Sequence, residues 1–410
     1  MWGTRREKYH TLLNTDVQNT EWEKLQPKSP LYLFVPQHIE KEREREYKKG
    51  WAISDIFSEG VTGFFTGKDE LTIQRTPELA REIVNDFVSL SEAEIRQKHE
   101  LEEKDEKDWT VKAAQADLKK LSAAEQRIPS ICYRPFDTQF TCYTGKSSGF
   151  HNRPRREIMR HFLAGNNLAL CVCKTVTRSV WQHALITDQI TEKNYVSNGR
   201  SESGYVFPLY LYPDAGEFNL STERYLNLKP EFVKVLSEKL VLPQSGQFGM
   251  PKGISPENIL AYVYAVMYSP AYRERYYEFL KYGFPRIPMP LDLEHFRRLS
   301  KIGQRLIDIH LLKNVPGPSQ HRFEGEGDSS VSDIDYRDGH VWINRTQRFI
   351  DVPEAVWEFE IGAYQVGEKW LKERDGTTLS NVDIRQYQQI LVAVAETIHI
   401  MGELDVENDT

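Results

Sequence analysis

The stretch "SICYRPFDTQFTCYTGKSSGF", residues 130–150, contains two short runs of strand-forming residues separated by a turn signal. Within it, Pro135 fixes its own φ and Asp137 can cap the bend, so "YRPFD" predicts a tight turn. Two strands joined in this way differ from the single buried strand that leads into a helix in a nucleotide-binding unit. The stretch therefore predicts a β-hairpin followed by a Gly- and Ser-rich loop.

The loop "TGKSSGF", residues 144–150, contains the Gly-Lys-Ser triplet that ends a phosphate-binding P-loop. A P-loop also needs an earlier glycine, which lets the backbone amides curl around the phosphates. That position is Phe140, and Cys142 and Tyr143 fill the part of the loop that must stay open. A nucleotide site is therefore rejected. Two interpretations are left: a hairpin-end loop with a solvated lysine, or a basic loop that faces a polyanion.

The segments around the hairpin mix strands with helices and lack a regular βαβ alternation. Strand-like runs occur at "LALCVCKTV", "HALITDQI" and "VFPLYLYP". The run "RPRREIMRHFLAG", residues 153–165, predicts an amphipathic helix with Gly165 at its C-cap. Another helical stretch is expected from Pro77 to about Leu121.

Beyond Pro243 the chain is predicted to be mainly helical. In "SPENILAYVYAVMYSPAYRERYYEFL", residues 255–280, Ser255 is the expected N-cap and Ser269-Pro270 breaks the run into two helices. "HVWINRTQRFI", residues 340–350, predicts a hairpin. We therefore predict an α+β fold in three parts: residues 1–50, a β-rich region with inserted helices at 51–242, and a mainly helical region at 243–410.

The length of 410 residues is enough for two or three domains, and the hydrophobic content of 40% indicates a folded protein. No apolar run approaches the roughly 18 residues of a membrane span, and the N-terminus lacks the apolar core of a signal peptide. We expect a cytoplasmic protein that contacts no membrane. The four cysteines are expected to be reduced core residues, because their spacing does not suit a metal site: Cys132, Cys142, Cys171 and Cys173.

Charge is distributed unevenly along the chain. The net charge of −7 argues against a globally basic nucleic-acid binder. Between His151 and Arg178, however, six basic residues stand against the single acid Glu157. Salt screens charges beyond about 10 Å, so this local excess matters more than the sum. The arginines of this segment either bind phosphate and bases or form a solvated cluster at a helix start.

Catalytic signatures fail across the sequence. There is no G-x-G-x-x-G after a strand and no H-E-x-x-H. His151, His161 and His183 fall in the basic segment, but nothing suggests that they converge on a metal. We therefore predict neither catalytic nor metal-binding residues.

Several segments together resemble the C-terminal specificity region of the single-polypeptide Type I (Type ISP) and related fused Type IIG restriction–modification enzymes. The resemblance spans most of the chain, and "AYVYAVMYSPAYRERYYEFLKYGFPRIPMP" at 261–290 is its most specific block. The other matches are "WGTRREKY", "SPLYLFVP", "TGKDELTI", "YRPFDTQFTCYTGKSSGF", "VFPLYLYP" and "IGAYQVGEKWLKER".

The resemblance implies a bacterial module that reads a sequence in double-stranded DNA. In the family, this module directs adenine-N6 methylation and cleavage by upstream methyltransferase, helicase and nuclease domains or subunits. Residues 1–50 would be the end of the methyltransferase domain. The chain lacks the N-P-P-Y/F motif and the Gly-rich methyl-donor loop, so it should not methylate or cut DNA by itself. S-adenosylmethionine, ATP and Mg would serve the full system, with no cofactor in this segment.

Candidate DNA-contacting residues are selected by composition and position, because the resemblance supplies no residue-level readout. They are Lys68, Lys146, Ser147, Ser148, Asn152, Arg153, Arg155, Arg156, Lys174, Arg178, Arg200, Arg297, Arg298, Lys301 and Arg305. Arg134, Pro135 and Asp137 are assigned to the turn, with Arg134 expected to pair with Asp137 or another acid. Two other functions stay open: half of a split S-adenosylmethionine-dependent DNA methyltransferase, and a non-catalytic scaffold or interaction fragment.

Overall fold

The computed structural model describes residues 5–20, 24, 41–105, 107–122, 126–177, 180–199, 202–214, 224–317 and 321–406. The chain forms two compact units, Met1–Arg45 and Glu46–Thr410. Among the described residues, none of the helices is both long and apolar enough to cross a membrane.

Helices of very different length occur throughout the described ranges, and the longest is the last. They are α1 (Arg5–Asn14), α2 (Lys41–Lys49), α3 (Ile53–Ile56), α4 (Asp69–Thr72), α5 (Pro77–Ser89), α6 (Glu92–Lys98), α7 (Val111–Leu118), α8 (Arg156–Leu163), α9 (Pro230–Lys239), α10 (Pro256–Tyr268), α11 (Pro270–Leu280), α12 (Leu293–His310), α13 (Glu354–Trp357), α14 (Val366–Lys372) and α15 (Asn381–Val406).

The strands are short, as expected of an α+β fold with several small sheets. They are β1 (Trp51–Ala52), β2 (Val61–Thr62), β3 (Ser130–Arg134), β4 (Asp137–Phe140), β5 (Ala169–Cys173), β6 (Ala184–Thr187), β7 (Ile190–Thr191), β8 (Gly204–Pro208), β9 (Tyr210–Leu211), β10 (Tyr225–Leu226), β11 (Gln244–Ser245), β12 (Met250–Pro251), β13 (Arg286–Ile287), β14 (Phe323–Glu324), β15 (Asp335–Arg337), β16 (His340–Trp342), β17 (Arg348–Phe349), β18 (Glu360–Ile361) and β19 (Tyr364–Gln365).

Three of the sheets have more than two strands. Their strand orders are β2-β8-β5-β6, β4-β3-β7 and β14-β17-β16-β15. The central strand β5 is buried along its whole length, which places Cys171 and Cys173 in the core as free thiols. In the second sheet, β3 pairs antiparallel with β4 and parallel with β7.

The hairpin β3–β4 turns at Pro135 and Phe136, as the sequence predicts. Pro135 precedes a residue with a positive φ, since Phe136 has φ 59°. Proline followed by a left-handed residue is the pattern of a type II turn, in which Gly or Asn usually takes the second position. The predicted hairpin near the C-terminus also forms, because β16 and β17 pair antiparallel.

Two apolar clusters form the interior of the described chain. The larger one includes β5 and β8 together with α10, α12 and α15, so it continues across Pro243. The smaller one lies among α5, α6 and α7 and includes Phe87, Trp109 and Phe150. The functional division at 50 and 242 stays a prediction.

The helical region follows the predicted boundaries closely. Ser255 caps α10 through the backbone N–H of Asn258, and Ser269 both ends α10 and caps α11. Inside, the Tyr264 hydroxyl lies 2.5 Å from His310 Nδ1, and His310 Nε2 lies 3.0 Å from the Thr397 hydroxyl. These buried contacts join α10, α12 and α15.

Two local predictions were wrong. The stretch from Pro77 to Leu121 contains three helices, because Ser91 begins a new helix with a capping box and residues 99–105 and 107–110 are not helical. Gly165 is not the C-cap of α8, which ends at Leu163 with Ala164 in a right-handed conformation. A Cβ at Gly165 would lie 2.8 Å from the Tyr212 hydroxyl, so the missing side chain leaves room for that ring.

Gly303 is predicted to be essential for the packing of α10 against α12. A Cβ there would overlap the backbone carbonyl of Ala261, which cannot rotate away. Gly303→Ala should lower the free energy of unfolding by about 1–3 kcal/mol, measured by urea titration. The matched control is Gly402→Ala on α15, where a Cβ meets nothing within 4 Å and should stabilise the helix by about 0.5–1 kcal/mol. Equal stabilisation by both changes would contradict this packing.

Candidate nucleic-acid interface

The loop after β4 is held at both ends by one buried carboxylate. Asp117 on α7 is 3% exposed, and its Oδ2 accepts hydrogen bonds from the Thr144 hydroxyl at 2.7 Å and the Phe150 backbone N–H at 2.9 Å. A Cβ at Gly149 would collide with the same carboxylate. The loop therefore depends on an acid from a distant helix and on a glycine that lets the two approach.

Aromatic residues anchor the loop from two further directions. Phe150 inserts into the smaller core, and Trp109 Nε1 donates to the Phe150 carbonyl at 3.1 Å. The Tyr143 hydroxyl donates to the Pro154 carbonyl at 2.6 Å. Gly145 has φ 73° and Ser148 has φ 52°, so the loop turns sharply between these anchors.

The tip of the loop is polar and exposed. Lys146, Ser147 and Ser148 are all exposed. Within the described part of the chain, the Lys146 ammonium group makes no ion pair. A lysine that is exposed on an anchored loop can meet an anion without first losing another partner.

Arg156 has an acidic partner beside the loop, and Arg155 is half-buried just before α8. Arg155 precedes α8 with φ 54°, and its buried Nε has no hydrogen-bond partner among the described residues. Arg156 donates from both terminal nitrogens to Asp214, at 3.2 and 3.0 Å. Its Cδ lies 3.2 Å from the place that a Cβ of Gly145 would take. Arg156 thus braces the loop while its charge is already paired.

Asn152 and Arg153 run beside the segment that precedes α4. The Asn152 N–H donates to the Thr66 carbonyl, and Arg153 and Phe65 exchange two backbone hydrogen bonds of 2.9 Å. Asn152 is 9% exposed, whereas Arg153 is exposed and, among the described residues, has no acidic partner. Lys68 lies just beyond this segment with its Nζ 3.6 Å from Glu70.

Of the other residues predicted in the β-rich half, the structure describes only Lys174. Lys174 follows β5, where its Nζ lies 5.6 Å from the centre of the Phe284 ring and its carbonyl accepts from the Gly283 N–H. Arg178 and Arg200 lie outside the described residues.

The four predicted cations of the helical region lie on α12. Arg297, Lys301 and Arg305 line a groove of about 430 Å³ that also includes Gly253, which precedes α10, and Asn258 in the first turn of α10. Arg305 is paired with Glu403 at 2.7 Å, and Arg298 is exposed on the same helix.

The turn residues form two buried ion pairs with acids and bases far along the chain. Arg134 Nη1 donates to Glu192 at 2.8 Å, and Arg374 Nη2 donates to Asp137 at 2.7 Å. Arg134 is therefore paired with another acid and not with its turn neighbour Asp137. Burial raises the pKa of Glu192 to about 7, although Arg134 acts in the opposite direction.

The histidines of the basic segment are separate buried residues. Burial lowers the pKa of His151 to about 3 and that of His161 to about 4, so both rings are neutral at pH 7. His183 lies 3.1 Å from the buried carboxylate of Glu202. Among the described residues, no cluster of three or more His, Cys, Asp or Glu side chains could hold a metal ion.

Sequence reasoning missed Asp117, Phe65 and Lys193. Asp117 occupies an ordinary position on a short helix, and no local pattern connects it with a loop 27 residues later. Lys193 lies with its Nζ 4.0 Å from the centre of the Phe65 ring, and the backbone pairing of Phe64 with Glu192 brings the two residues together. An acid on the buried face of α7 was the one available signal, and it identified no partner.

A family model decides the classification, because the Type ISP C-terminal specificity domain matches residues 55–403. The chain belongs to this family. No curated protein sequence matches the chain.

Solved structures share this fold at low sequence identity. A cryo-electron microscopy structure of a DrdV–DNA complex has 21% identity and a TM-score of 0.71, over 97% of this chain and 42% of that chain. A nuclease-deletion mutant of the Type ISP enzyme LlaGI with a DNA substrate mimic has 17% identity and a TM-score of 0.68, over 98% of this chain and 32% of that chain. The ATP-dependent Type ISP enzyme LlaBIII bound to DNA has 18% sequence identity and a TM-score of 0.63, over 87% of this chain and 24% of that chain. This Type ISP specificity domain thus spans less than half the length of each structure.

Removing the Asp117 carboxylate should release the loop. Asp117→Ala leaves the buried Phe150 N–H without an acceptor, so the free energy of unfolding should fall by about 1–3 kcal/mol. Hydrogen exchange at residues 144–150 should accelerate more than in the sheet β4-β3-β7. Lys119→Ala, an exposed change at the end of the same helix, is the control. Unchanged exchange in the loop of Asp117→Ala would show that the carboxylate is not its anchor.

Glu192 should make the stability depend on pH. Because its pKa is raised in the folded state, the folded protein holds a proton that the unfolded chain has lost between about pH 4.5 and about 7. The stabilisation from this group is complete below that window and is lost as the pH rises through it. Glu192→Gln should flatten this part of the pH profile in urea titrations. Glu70→Gln, at a carboxylate that is 84% exposed, should leave the profile as in the wild type.

Proposed function

We propose that this specificity domain recognises a sequence in double-stranded DNA and directs adenine-N6 methylation and cleavage by other domains. The observation that carries the proposal is the anchored loop 144–153, which exposes Lys146 and Arg153 on a buried scaffold. Phosphate contacts from such cations set the register of a protein on the duplex, while polar groups of the same loop can reach base edges. Ser147, Ser148 and Asn152 are the candidates for the second role.

The groove beside α12 supports the proposal as a second, weaker contact. Arg297 and Lys301 are exposed and four residues apart, so they lie one above the other on the same helix face. Within the described part of the chain, neither has an acidic partner, in contrast to Arg305. Two such cations suit adjacent phosphates and would brace the duplex against the helical region.

The proposal assigns no catalytic activity and no cofactor to this segment. Within the described residues, "SPAY" at 269–272 approaches a methyltransferase amino-group motif, and it joins α10 to α11. Ser269 caps α11 there and Pro270 is its first residue, so these residues serve the helix junction. S-adenosylmethionine, ATP and Mg would bind to other domains of the full system. Isothermal titration of the chain with S-adenosylmethionine should show no binding, and a stoichiometric signal would favour a split methyltransferase.

DNA binding by the wild type should be strong at low salt and should show a preferred sequence. The measurement is fluorescence anisotropy with duplexes selected from a random pool, compared with unselected duplexes over a range of salt concentrations. Equal, weak affinity for every duplex would count against sequence recognition. No binding at any salt concentration would reject DNA as the ligand.

Lys146→Ala should weaken binding to all duplexes alike. Loss of one phosphate contact should reduce the slope of log affinity against log salt by about one. The matched control is Lys234→Ala on α9, because Lys234 is exposed and belongs to a surface pair with Glu238. If both variants keep the wild-type slope, the loop tip does not contact phosphate.

A further inference from the structure

Three segments that are distant in sequence form a small ladder beside the loop. Phe64 pairs with Glu192 in parallel, through its N–H to the Thr191 carbonyl and its carbonyl to the Lys193 N–H, both at 2.9 Å. On the other side, Phe65 pairs antiparallel with Arg153 through two bonds of 2.9 Å. Residues 64–66 are therefore the middle strand of a three-segment ladder.

The ladder has one buried face and one open face. Phe64 and Glu192 lie opposite each other and are both at most 1% exposed. Successive side chains of a strand point to opposite faces, so Phe65 and Lys193 share the other face. Arg153 pairs directly with Phe65 and joins them there. The open face thus carries the row Lys193–Phe65–Arg153, with the aromatic ring between two cations.

The Phe65 side chain contacts a lysine, and its backbone is hydrogen-bonded on both sides, but the ring does not belong to the protein core. It is half-buried, yet it belongs to neither apolar cluster of the described residues. The Lys193 Nζ lies 4.0 Å from the centre of its ring. A large apolar ring outside the core, flanked by basic residues, is suited to a ligand that has both anionic and aromatic groups.

Gly63 brings the ladder together. A Cβ at Gly63 would lie 2.7 Å from the backbone carbon and oxygen of Glu192 and from the Lys193 nitrogen. Only the absence of a side chain allows the first segment to approach the second this closely. The carboxylate of Glu192 points to the buried side, where it binds Arg134, so it does not neutralise the open row.

We propose that Phe65 packs against the bases of duplex DNA as an apolar wedge, while Lys193 and Arg153 bind phosphates on either side. The inference rests on the proposed function and assigns a residue of the same interface that contacts bases without hydrogen bonds. Phenylalanine wedges at base steps unstack them partially and bend the duplex, and the flanking cations hold the bent backbone. Cation contacts and wedge contacts differ in their dependence on salt.

The test separates affinity from salt dependence in the full 410-residue chain. Phe65→Ala should weaken binding to the selected duplex by about 5- to 100-fold and leave the log–log salt slope unchanged. Lys193→Gln and Arg153→Gln should each reduce that slope by about one. Phe65→Leu keeps apolar bulk in the ladder and should give an intermediate loss, whereas Phe65→Tyr should bind like the wild type.

The matched control is Tyr277→Ala on α11, because Tyr277 is also half-buried and has the Lys281 Nζ 3.8 Å from its ring centre. Its affinity should equal that of the wild type. If the wild type binds the selected duplex and Phe65→Ala binds it equally well, the wedge is rejected and the proposed function stands. If the wild type binds no duplex, both proposals are rejected.

Discussion

Two buried ion pairs at one tight turn link parts of the chain that the sequence separates widely. Arg134 and Asp137 flank the Pro135-Phe136 turn, and each finds its counter-charge elsewhere, on Glu192 and on Arg374. A buried charge without a partner is costly, so burial of both ends of the hairpin requires Glu192, just after β7, and Arg374, just after α14. The hairpin that carries the basic loop thus depends on contacts with segments as far as 237 residues away in the sequence.

The loop combines a rigid base with an open tip. Asp117, Trp109 and Phe150 belong to the smaller core or contact it, whereas Lys146 remains in solvent. The DNA recognition that we propose for this loop would benefit from this arrangement, because the ordering cost of the loop is met on folding and not on binding. Arg156, paired with Asp214, contributes to the base of the loop, although its charge alone suggests the tip.

The sequence predicted helix boundaries and turns best where these depend on interactions between residues that are close in the sequence. Caps at Ser255 and Ser269 bond to amides three residues away, so the boundaries of α10 and α11 could be predicted. The Pro135 turn and the hairpin β16–β17 are local in the same sense. Gly165 failed as a C-cap because its role is set by Tyr212, 47 positions later, and composition could not separate Lys146 from the paired Arg156.

The sequence by itself determined the α+β class, the helices of the second half, the family and the basic segment that contains the loop. These follow from capping, periodicity and short-range turn chemistry, which act between neighbouring residues. Only the tertiary structure decided which cations are unpaired, that Asp117 anchors the loop, and that Lys193, Phe65 and Arg153 form one row. The row depends on backbone pairing between segments up to about 130 residues apart, and the loop anchor depends on a side chain from another element. No local pattern encodes either contact.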